Sequence, residues 1–268
     1  MKKNKKISSI FILGGSGFLG GAFCDFFKKN NIRFEAITKN NYKNFVGKKC
    51  DIFINANGNS KKYLYAKDQL LDFELNVFSV YKTFKDFKFS KYVYLSTSDV
   101  YGSNVNLSKT DEKVDINLKS LSGYAFHKYI SENLVKYFCR KWFIFRLNGF
   151  VGKNLKKNII FDLLNYVPLF IKPNSRIQFM ETIKMAECVF AIVNKNQNMN
   201  KIYNLSGSGH ADILKIIKRY KLKYKIRKNA KKIVHLIKLE KIKKIIDLPD
   251  SQSQCVKFVE ESLNINKR

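Results

Sequence analysis

The sequence is poor in proline, tryptophan and histidine, with 3, 1 and 3 residues of these types among 268. Few prolines and an apolar content of 45% exclude a disordered or low-complexity chain and predict a globular protein. A chain of this length can bury a full core, either as one large domain or as a domain with a smaller lobe.

The cysteines and histidines lack metal-site spacing. The five cysteines, at positions 24, 50, 139, 188 and 255, contain no C-x-x-C pair, and the three histidines, at 127, 210 and 235, lie far apart. We therefore predict no metal site and a reduced, cytoplasmic protein. Cys139 and Cys188 fall in helical apolar patterns and are predicted to be core residues.

Long apolar runs are also missing. None reaches the roughly twenty residues that cross a membrane, so we predict no membrane span. The first fifteen residues have a basic head and an apolar run, as a signal peptide does. However, that run is short and ends in glycines instead of a cleavage site. We predict that Ile7–Leu13 is a buried first strand.

Arginine is scarce in a strongly basic chain. The formal net charge is +30, yet arginine occurs only at positions 33, 140, 146, 176, 219, 227 and 268. Such a charge suggests nucleic acid, an acidic membrane surface or phosphorylated small molecules as partners. Few arginines and no recognisable nucleic-acid-binding motif argue against a specific nucleic-acid partner. We interpret the lysine excess as compositional bias.

Strand and helix patterns alternate over the first two-thirds of the chain. This predicts an α/β fold with a Rossmann-type, doubly wound parallel sheet. The predicted strands are Ile7–Leu13, Arg33–Thr38, Asp51–Asn55, Tyr92–Ser96 and Trp142–Leu147. Apolar residues at three- and four-residue steps predict one helix through Leu70, Phe73, Val77, Tyr81 and Phe84, and another from Tyr124 through Ile130, Leu134 and Phe138.

After Gly152 the elements become shorter and mixed. We predict a first domain of residues 1–152 and a small C-terminal α/β lobe of residues 153–268, packed on the first and partly interleaved with it. The lobe is predicted to contain helices Ile159–Asn165, Ile183–Val193 and Ala211–Tyr220, and strands Ile177–Met180 and 201–207. The segment "KLKYKIRK" (221–228) alternates strictly and is interpreted as a half-buried strand, with a basic binding ribbon as the alternative.

Residues 11–21, "FILGGSGFLGG", place Gly14, Gly17 and Gly20 between a predicted strand and a predicted helix. Gly14 permits a tight turn, Gly17 lets the backbone approach a pyrophosphate, and Gly20 lets the helix pack against the strand. The helix N-terminus offers free N–H groups and a partial positive charge. In this strand–turn–helix context the motif predicts a dinucleotide site.

The end of the second strand bears on which dinucleotide is bound. An acid here would bind the ribose 2′-hydroxyl of NAD, but the sequence places Thr38 and Lys39 there, and Glu35 lies inside the strand. A neutral residue followed by a cation favours NADP over NAD. The alternative is that Lys39 is one more surface lysine.

Thr97, Tyr124 and Lys128 form a candidate catalytic set. Thr97 follows a buried strand, at the sheet edge where ligands bind in open α/β folds. Tyr124 and Lys128 are four residues apart and share one face of a helix. A lysine beside a tyrosine is expected to lower the pKa of the phenol and make it a usable base.

In this order, the motifs resemble those of the extended short-chain dehydrogenases/reductases of the NAD(P)-dependent epimerase/dehydratase type. The matching stretches are "GGSGFLG", "DIFINANG", "ELNVFSV", "STSDVYG", "YAFHK" and "FRLNGFVG", which span Ile7 to about Gly152, and "RIQFMET" and "IYNLSG" continue the likeness. Most members of this family act on nucleotide sugars.

The resemblance implies hydride transfer between a sugar carbon and a nicotinamide ring, with Tyr124 as acid/base and with Thr97 and Lys128 completing the catalytic set. The substrate would contact Ser98, Asp99 and Asn148. Ser98 and Asp99 fall where dehydratase-type members carry extra acid/base groups, although for Asp99 we favour a turn-capping role. The implied cofactor-binding set is Gly14, Ser16, Gly17, Phe18, Leu19, Gly20, Thr38, Lys39, Ala56, Asn57, Gly58 and Asn76.

The sequence departs from the family pattern in three respects, one of which is a short substrate lobe. Few residues separate Thr38 from Asp51, so the family's third strand and its adenine-contacting acid are predicted to be absent, and Asn148 stands one place early. A non-catalytic dinucleotide sensor is therefore the alternative to an enzyme. Phe73, Tyr81 and Phe84 would form a homodimer interface or else cover the sheet. His127 is predicted to be a helix spacer.

Overall fold

The computed structural model describes residues 9–102, 107–195 and 199–264. The first two residues of the predicted strand Ile7–Leu13 lie outside these ranges. Within the described ranges the strands are β1 (Ile10–Leu13), β2 (Glu35–Ile37), β3 (Lys49–Asn55), β4 (Lys88–Thr97), β5 (Trp142–Leu147), β6 (Gly149–Val151), β7 (Leu169–Ile171), β8 (Arg176–Ile177), β9 (Phe179–Glu181), β10 (Lys201–Leu205), β11 (Ile226–Lys231) and β12 (Val234–His235).

Helices connect and cover these strands. They are α1 (Phe18–Lys29), α2 (Leu64–Lys67), α3 (Gln69–Phe73), α4 (Ser79–Asp86), α5 (Gly123–Phe138), α6 (Ile159–Leu164), α7 (Thr182–Asn194), α8 (Ile213–Tyr220), α9 (Glu240–Lys243) and α10 (Ser251–Ser262). A π-helical segment, Glu74–Phe78, joins α3 to α4, and short 3₁₀ turns follow β2 and β4.

The main sheet has six parallel strands in the order β10-β5-β4-β3-β1-β2. Its central strands are apolar on both faces, as covered parallel strands are. Helices α1 and α7 bury Phe23, Phe27 and Met185 on one face. On the other face α4 and α5 contribute Val80 and Val135. The doubly wound α/β prediction is confirmed.

Strand β2 forms one edge of this sheet. After it the chain makes a 3₁₀ turn at Tyr42–Phe45 and returns directly into β3, which pairs with β1. In the described part of the chain, no strand lies outside β2. The sheet therefore ends at β2 on this side, in line with the short stretch between Thr38 and Asp51.

The helix predicted through Leu70 and Phe84 is broken into three pieces by the π-helical segment. Its apolar residues do not form one buried stripe: Val77 is buried, whereas Leu70 is 69% exposed and Phe73 is also exposed. Helix α5 likewise buries polar residues and Val135 against the sheet, while Phe138 is exposed. The apolar positions of these two helices are therefore only partly covered, because one face packs on the sheet and another stays exposed.

The C-terminal part is interleaved with the first. Strand β10 is the sixth strand of the main sheet, and α7 packs on α1. Short parallel pairs β6–β9, β7–β11 and β8–β12 surround a separate core formed with α6, α8 and α10. The division at Gly152 stays a prediction.

Two strand predictions in this part are wrong. Residues 177–180 belong to two strands, β8 and β9, which pair with β12 and β6. In "KLKYKIRK" the strand begins only at Ile226, and both Tyr224 and Ile226 are exposed. Strict alternation did not predict burial here because no other described element covers that face.

Candidate functional site

The glycine turn has the geometry of a phosphate-binding loop. Gly14 has a φ of +84°, which L-residues with a side chain rarely adopt, and its carbonyl accepts a 2.8 Å hydrogen bond from the Gly17 N–H. A Cβ on Gly20 would stand 2.0 Å from the Gly14 oxygen, so only glycine lets α1 pack this close to β1. The roles inferred for Gly14 and Gly20 follow from these contacts.

Helix α1 offers a free N-terminus beside this turn. Its N-cap is Gly17, which has no side chain to bond the first N–H groups, and its first turn contains no acid. These donors and the helix dipole fit the phosphates of a dinucleotide. Ser16 and Gly17 are exposed, whereas Phe18 and Leu19 are half-buried and pack on the core.

The loop after β3 lies against the same turn. The Ala56 N–H donates to the Leu13 carbonyl at 3.0 Å, and a Cβ on Gly14 would meet Ala56 and Asn57 backbone atoms at 3.0 Å. Gly58 has a φ of +135° and stands between Asn76 and Lys128. The fold therefore joins the glycine turn to the predicted residues 56–58 and, through Gly58, to α5.

The residues at the end of β2 make few contacts that point to a cofactor. The Thr38 hydroxyl and backbone N–H both donate to the Asn41 side chain, at 3.2 and 2.7 Å. Lys39 is exposed, and Glu35 stands at the opposite end of the strand. No described carboxylate of β2 lies at the ribose end of the turn.

Tyr124 and Thr97 meet at the carboxyl edge of the sheet. Ser122 caps α5 by accepting a hydrogen bond from the Ala125 N–H at 3.3 Å, so Tyr124 stands in the first turn of that helix. The ring is 7% exposed, and the Thr97 side chain lies close enough to the phenol to affect its pKa. This contact joins two residues of the predicted catalytic set.

Lys128 lies deeper, at 5% exposure. Its Nζ donates to the Leu95 carbonyl at 2.9 Å and stands 4.3 Å from the centre of the Tyr94 ring. Burial lowers the pKa of this ammonium to about 7, while the carboxylates of Glu132 and Asp72 act in the opposite direction.

The pKa of Tyr124 is raised, not lowered. Burial is the main cause, and the negative charges of Asp99 and Asp72 add to it, whereas the Thr97 side chain acts in the opposite direction. The expectation that Lys128 lowers this pKa is wrong for this structure, because burial and the nearby carboxylates raise the pKa instead. Neither the four-residue spacing of Tyr124 and Lys128 nor their shared helix face reveals that the pKa of Tyr124 is raised.

Asp72 is a buried residue of the site that the sequence reasoning missed. Its carboxylate accepts hydrogen bonds from Asn59 Nδ2 at 2.7 Å and from Asn76 Nδ2 at 3.0 Å. His127 Nδ1 lies 2.8 Å from its second oxygen. His127 is thus a buried partner of Asp72 and not a helix spacer, and the predicted cofactor residue Asn76 is held in the same network.

Ser98 and Asp99 follow Thr97 in a 3₁₀ turn, Ser98–Tyr101. The Asp99 N–H donates to Thr97 Oγ1 at 3.2 Å, so Thr97 is the cap, and the turn-capping role expected of Asp99 is wrong. The Asp99 carboxylate instead forms a 2.6 Å ion pair with Lys62. His235, from β12, places its Nε2 2.7 Å from Ser98 Oγ.

Asn148 and Arg146 stabilise the surroundings of the site. Asn148 Nδ2 donates to the His235 carbonyl at 3.0 Å and to Gln178 at 3.3 Å. Arg146 is buried in a two-bond ion pair with Glu132, which also accepts from Ser96 Oγ at 2.6 Å. A substrate contact for Asn148 stays a prediction.

Metal-binding clusters and membrane-spanning helices are both absent from the described ranges. These ranges contain no cluster of three or more His, Cys, Asp or Glu side chains arranged to hold a metal ion. In the same residues, no helix has both the length and the apolarity needed to cross a bilayer.

Comparison with known proteins places this geometry in a family. The profile of the NAD-dependent epimerase/dehydratase family matches residues 10–206, well over half of the chain. No curated protein matches the sequence at a significant level.

Solved structures share the fold at low sequence identity. A UDP-glucuronic acid 4-epimerase from Bacillus cereus is 15% identical, with a TM-score of 0.76 over 96% of this chain and 100% of that one. A UDP-galactose 4-epimerase is 19% identical, with a TM-score of 0.77 over 97% and 99%. A dTDP-4-dehydrorhamnose reductase orthologue from Clostridium acetobutylicum is 15% identical, with a TM-score of 0.78 over 97% and 100%. By its family profile, and with a fold that agrees, the chain belongs to the NAD-dependent epimerase/dehydratase family.

Proposed function

We propose that the protein is an NAD(P)-dependent oxidoreductase or epimerase acting on a nucleotide sugar or a related activated carbohydrate. One observation carries the proposal: Thr97 and Tyr124 meet at the same sheet edge as the glycine turn, and Lys128 lies one helical turn further along α5. Buried ionisable groups gathered at such an edge are typical of a catalytic site.

Each residue has a defined task in this proposal. The free N–H groups of α1 and the backbone of residues 14–17 bind the pyrophosphate, and residues 56–58 and Asn76 line the nicotinamide side. Tyr124 gives or takes the proton of the reacting hydroxyl, while Thr97 orients the substrate oxygen. Lys128 orients the ribose. The cofactor, when bound, supplies hydride acceptance and donation.

For the cofactor we favour NADP over NAD. The support is the exposed Lys39 after Thr38 and the lack of a carboxylate at this end of β2. Solved relatives of this fold carry either nucleotide: one Bacillus cereus epimerase is complexed with NAD and a Bacillus anthracis reductase with NADP. Competition between the two nucleotides for the purified protein measures the preference.

The substrate class is inferred from charge and from relatives. Structural neighbours are described in complexes with UDP-sugars. Lys62 is paired with Asp99 at the predicted substrate edge, and Lys157 is close enough for the charges of Lys62 and Asp99 to affect its pKa. These cations suit an anionic substrate.

The proposal includes a homodimer in a reducing, cytoplasmic setting. The uncovered face of α3, α4 and α5 presents Leu70, Phe73, Phe138 and Tyr137. A second copy of this chain is the proposed cover, because exposed apolar patches of this kind mark interaction sites. All five cysteines are buried free thiols, which supports the compartment.

The direct test replaces Tyr124 by phenylalanine. We expect wild-type protein to bind NADPH or NADH, seen as a rise in melting temperature, and to oxidise or reduce one member of a nucleotide-sugar panel. Tyr124→Phe should keep the nucleotide-induced rise and lose about 10²- to 10⁴-fold in turnover, the range for a general acid–base group. No melting shift with either nucleotide at millimolar concentration contradicts the proposal.

A non-catalytic dinucleotide sensor is the second candidate. The observation that favours it is the raised pKa of Tyr124, since a phenol held protonated is a poor base. Hydride transfer that depends on Tyr124 rules the sensor out. Nucleotide binding without any turnover across the panel supports it.

A further inference from the structure

His235 comes from a distant part of the chain and stands at the edge where the proposed chemistry occurs. It ends β12, which pairs in parallel with β8. The segment around it is anchored: its own carbonyl accepts from Asn148, Ile237 N–H donates to Gln178 Oε1 at 2.8 Å, and Lys238 N–H donates to Thr110 Oγ1 at 2.9 Å. The imidazole is therefore positioned by a fixed backbone.

The side chain contacts the residue next to Thr97. His235 Nε2 lies 2.7 Å from Ser98 Oγ and 3.9 Å from Asp99 Oδ1. Ser98 is buried, so its hydroxyl has little access to water. A short contact between a buried hydroxyl and an imidazole is the arrangement in which a proton passes between the two groups.

The charges around the imidazole come from two other elements. Burial lowers its pKa below the usual 6.5, the carboxylate of Asp99 raises it, and the ammonium of Lys62 lowers it. Asp99 in turn pairs with Lys62 and acts on the pKa of Tyr124. One carboxylate thus faces both the phenol and the imidazole.

We infer that Ser98 and His235 form a second proton-transfer pair of the site, separate from Tyr124, with Asp99 as the counter-charge. The inference rests on the proposed function for its substrate, though not for its chemistry. It assigns His235 as a positioning residue that acts through Ser98. A site with two proton-handling groups suits a reaction that moves a second proton besides the one at the hydride-bearing carbon.

The proton step balances within the residues present. In the tautomer with hydrogen on Nδ1, Nε2 accepts the Ser98 hydroxyl proton while Ser98 Oγ takes a proton from the substrate. One O–H bond of Ser98 breaks and another forms, and the imidazole becomes imidazolium facing Asp99. No electrons are transferred, and the reverse step returns the proton.

The test reads the imidazole directly by NMR of the ring carbons and nitrogens. The chain has only three histidines, so His210→Gln and His235→Gln assign the signals. We expect the unprotonated ring nitrogen of His235 to be Nε2 and its titration midpoint to lie below 6.5. Asp99→Asn should lower that midpoint, and Lys62→Gln and Ser98→Ala should raise it, by roughly half a unit to one unit.

Lys215→Gln, at an exposed lysine on α8 that forms no hydrogen bond with the pair, is the control and should leave the midpoint unchanged. A His235 ring that carries its hydrogen on Nε2, or a midpoint that Asp99→Asn and Ser98→Ala do not move, overturns the inference. These NMR signals need no ligand, so they test the Ser98–His235 pair even if the protein binds no dinucleotide. A failure to bind dinucleotide would contradict the proposed function but not the pair.

With a substrate in hand, the pH profile gives the second readout. We expect kcat/KM of the wild type to rise with pH through the midpoint found by NMR. In His235→Gln, kcat/KM should lose that pH dependence and fall about 10²-fold, while nucleotide binding and the melting temperature stay near wild type. If kcat/KM of His235→Gln still rises with pH as in the wild type, the role of His235 is overturned.

Discussion

At the scale of single residues, Lys128 shows how burial and charge compete. The ammonium is almost fully enclosed, and its hydrogen bond to Leu95 and its position over the Tyr94 ring compensate only in part. The carboxylates of Glu132 and Asp72 favour its charged form, yet burial dominates and holds the pKa at about 7. The same burial raises the pKa of Tyr124. Proton exchange between these two residues therefore depends on what enters the site.

A residue-scale prediction concerns Lys128→Met and the pH dependence of stability. The folded pKa lies below the unfolded value of 10.5, so the wild type is destabilised by the buried charge below pH 7 and relieved as pH rises towards 10.5. Relative to the variant, the wild type should gain roughly 3–5 kcal/mol in free energy of unfolding over that interval. Urea unfolding at several pH values measures it, and parallel curves for the two proteins would contradict it.

At the scale of elements, the strand–turn–helix at the start of the sheet is specified by contact and not by propensity. Glycine is unfavourable in helices, yet Gly20 and Gly21 both lie in the first turns of α1. A Cβ at position 20 would collide with the Gly14 carbonyl, whereas one at position 21 would stand 3.7 Å from the nearest atom. Only the first glycine is therefore required by the turn.

This contrast gives a matched pair of variants. Gly20→Ala should push α1 away from the turn, destabilise the fold by about 2–4 kcal/mol and abolish nucleotide-induced stabilisation, since overpacking and a lost phosphate loop act together. Gly21→Ala should be neutral or stabilise by up to about 1 kcal/mol and keep nucleotide binding. Thermal unfolding with and without NADPH measures both, and equal behaviour of the two variants would refute the assignment.

At the scale of the whole molecule, the uncovered helical face and the +30 charge act against each other. Within one chain, Tyr81 and Phe84 pack on Phe138 at ring distances of 5.5 and 5.2 Å and are half-buried. Tyr137 contacts Phe138 at a ring distance of 4.9 Å but is 83% exposed, and Leu70 is 69% exposed. Association through this face must bury enough apolar surface to exceed the repulsion between two basic chains.

We therefore expect the protein to elute at twice the mass of one chain and to dissociate when salt is removed. Leu70→Glu should give a single-chain mass by light scattering, because a charge would be buried in the interface. Leu214→Glu, at an exposed leucine on α8, is the control and should stay dimeric. If both variants are dimeric, the interface lies elsewhere. If the wild type and both variants have the mass of one chain, the protein is a monomer.

The sequence by itself determined the fold class, strand β5 to the residue and the order of the glycine turn, Thr97, Tyr124 and Lys128, because these depend on local periodicity and turn chemistry. The tertiary structure decided which helix faces are covered, the direction of the Tyr124 and Lys128 pKa shifts, and the partners of Asp72 and His235. Asp72 meets His127 across 55 residues, and Ser98 meets His235 across 137. Such contacts and the burial that accompanies them arise only when distant segments pack, so they cannot be predicted from the spacing of residues along the chain.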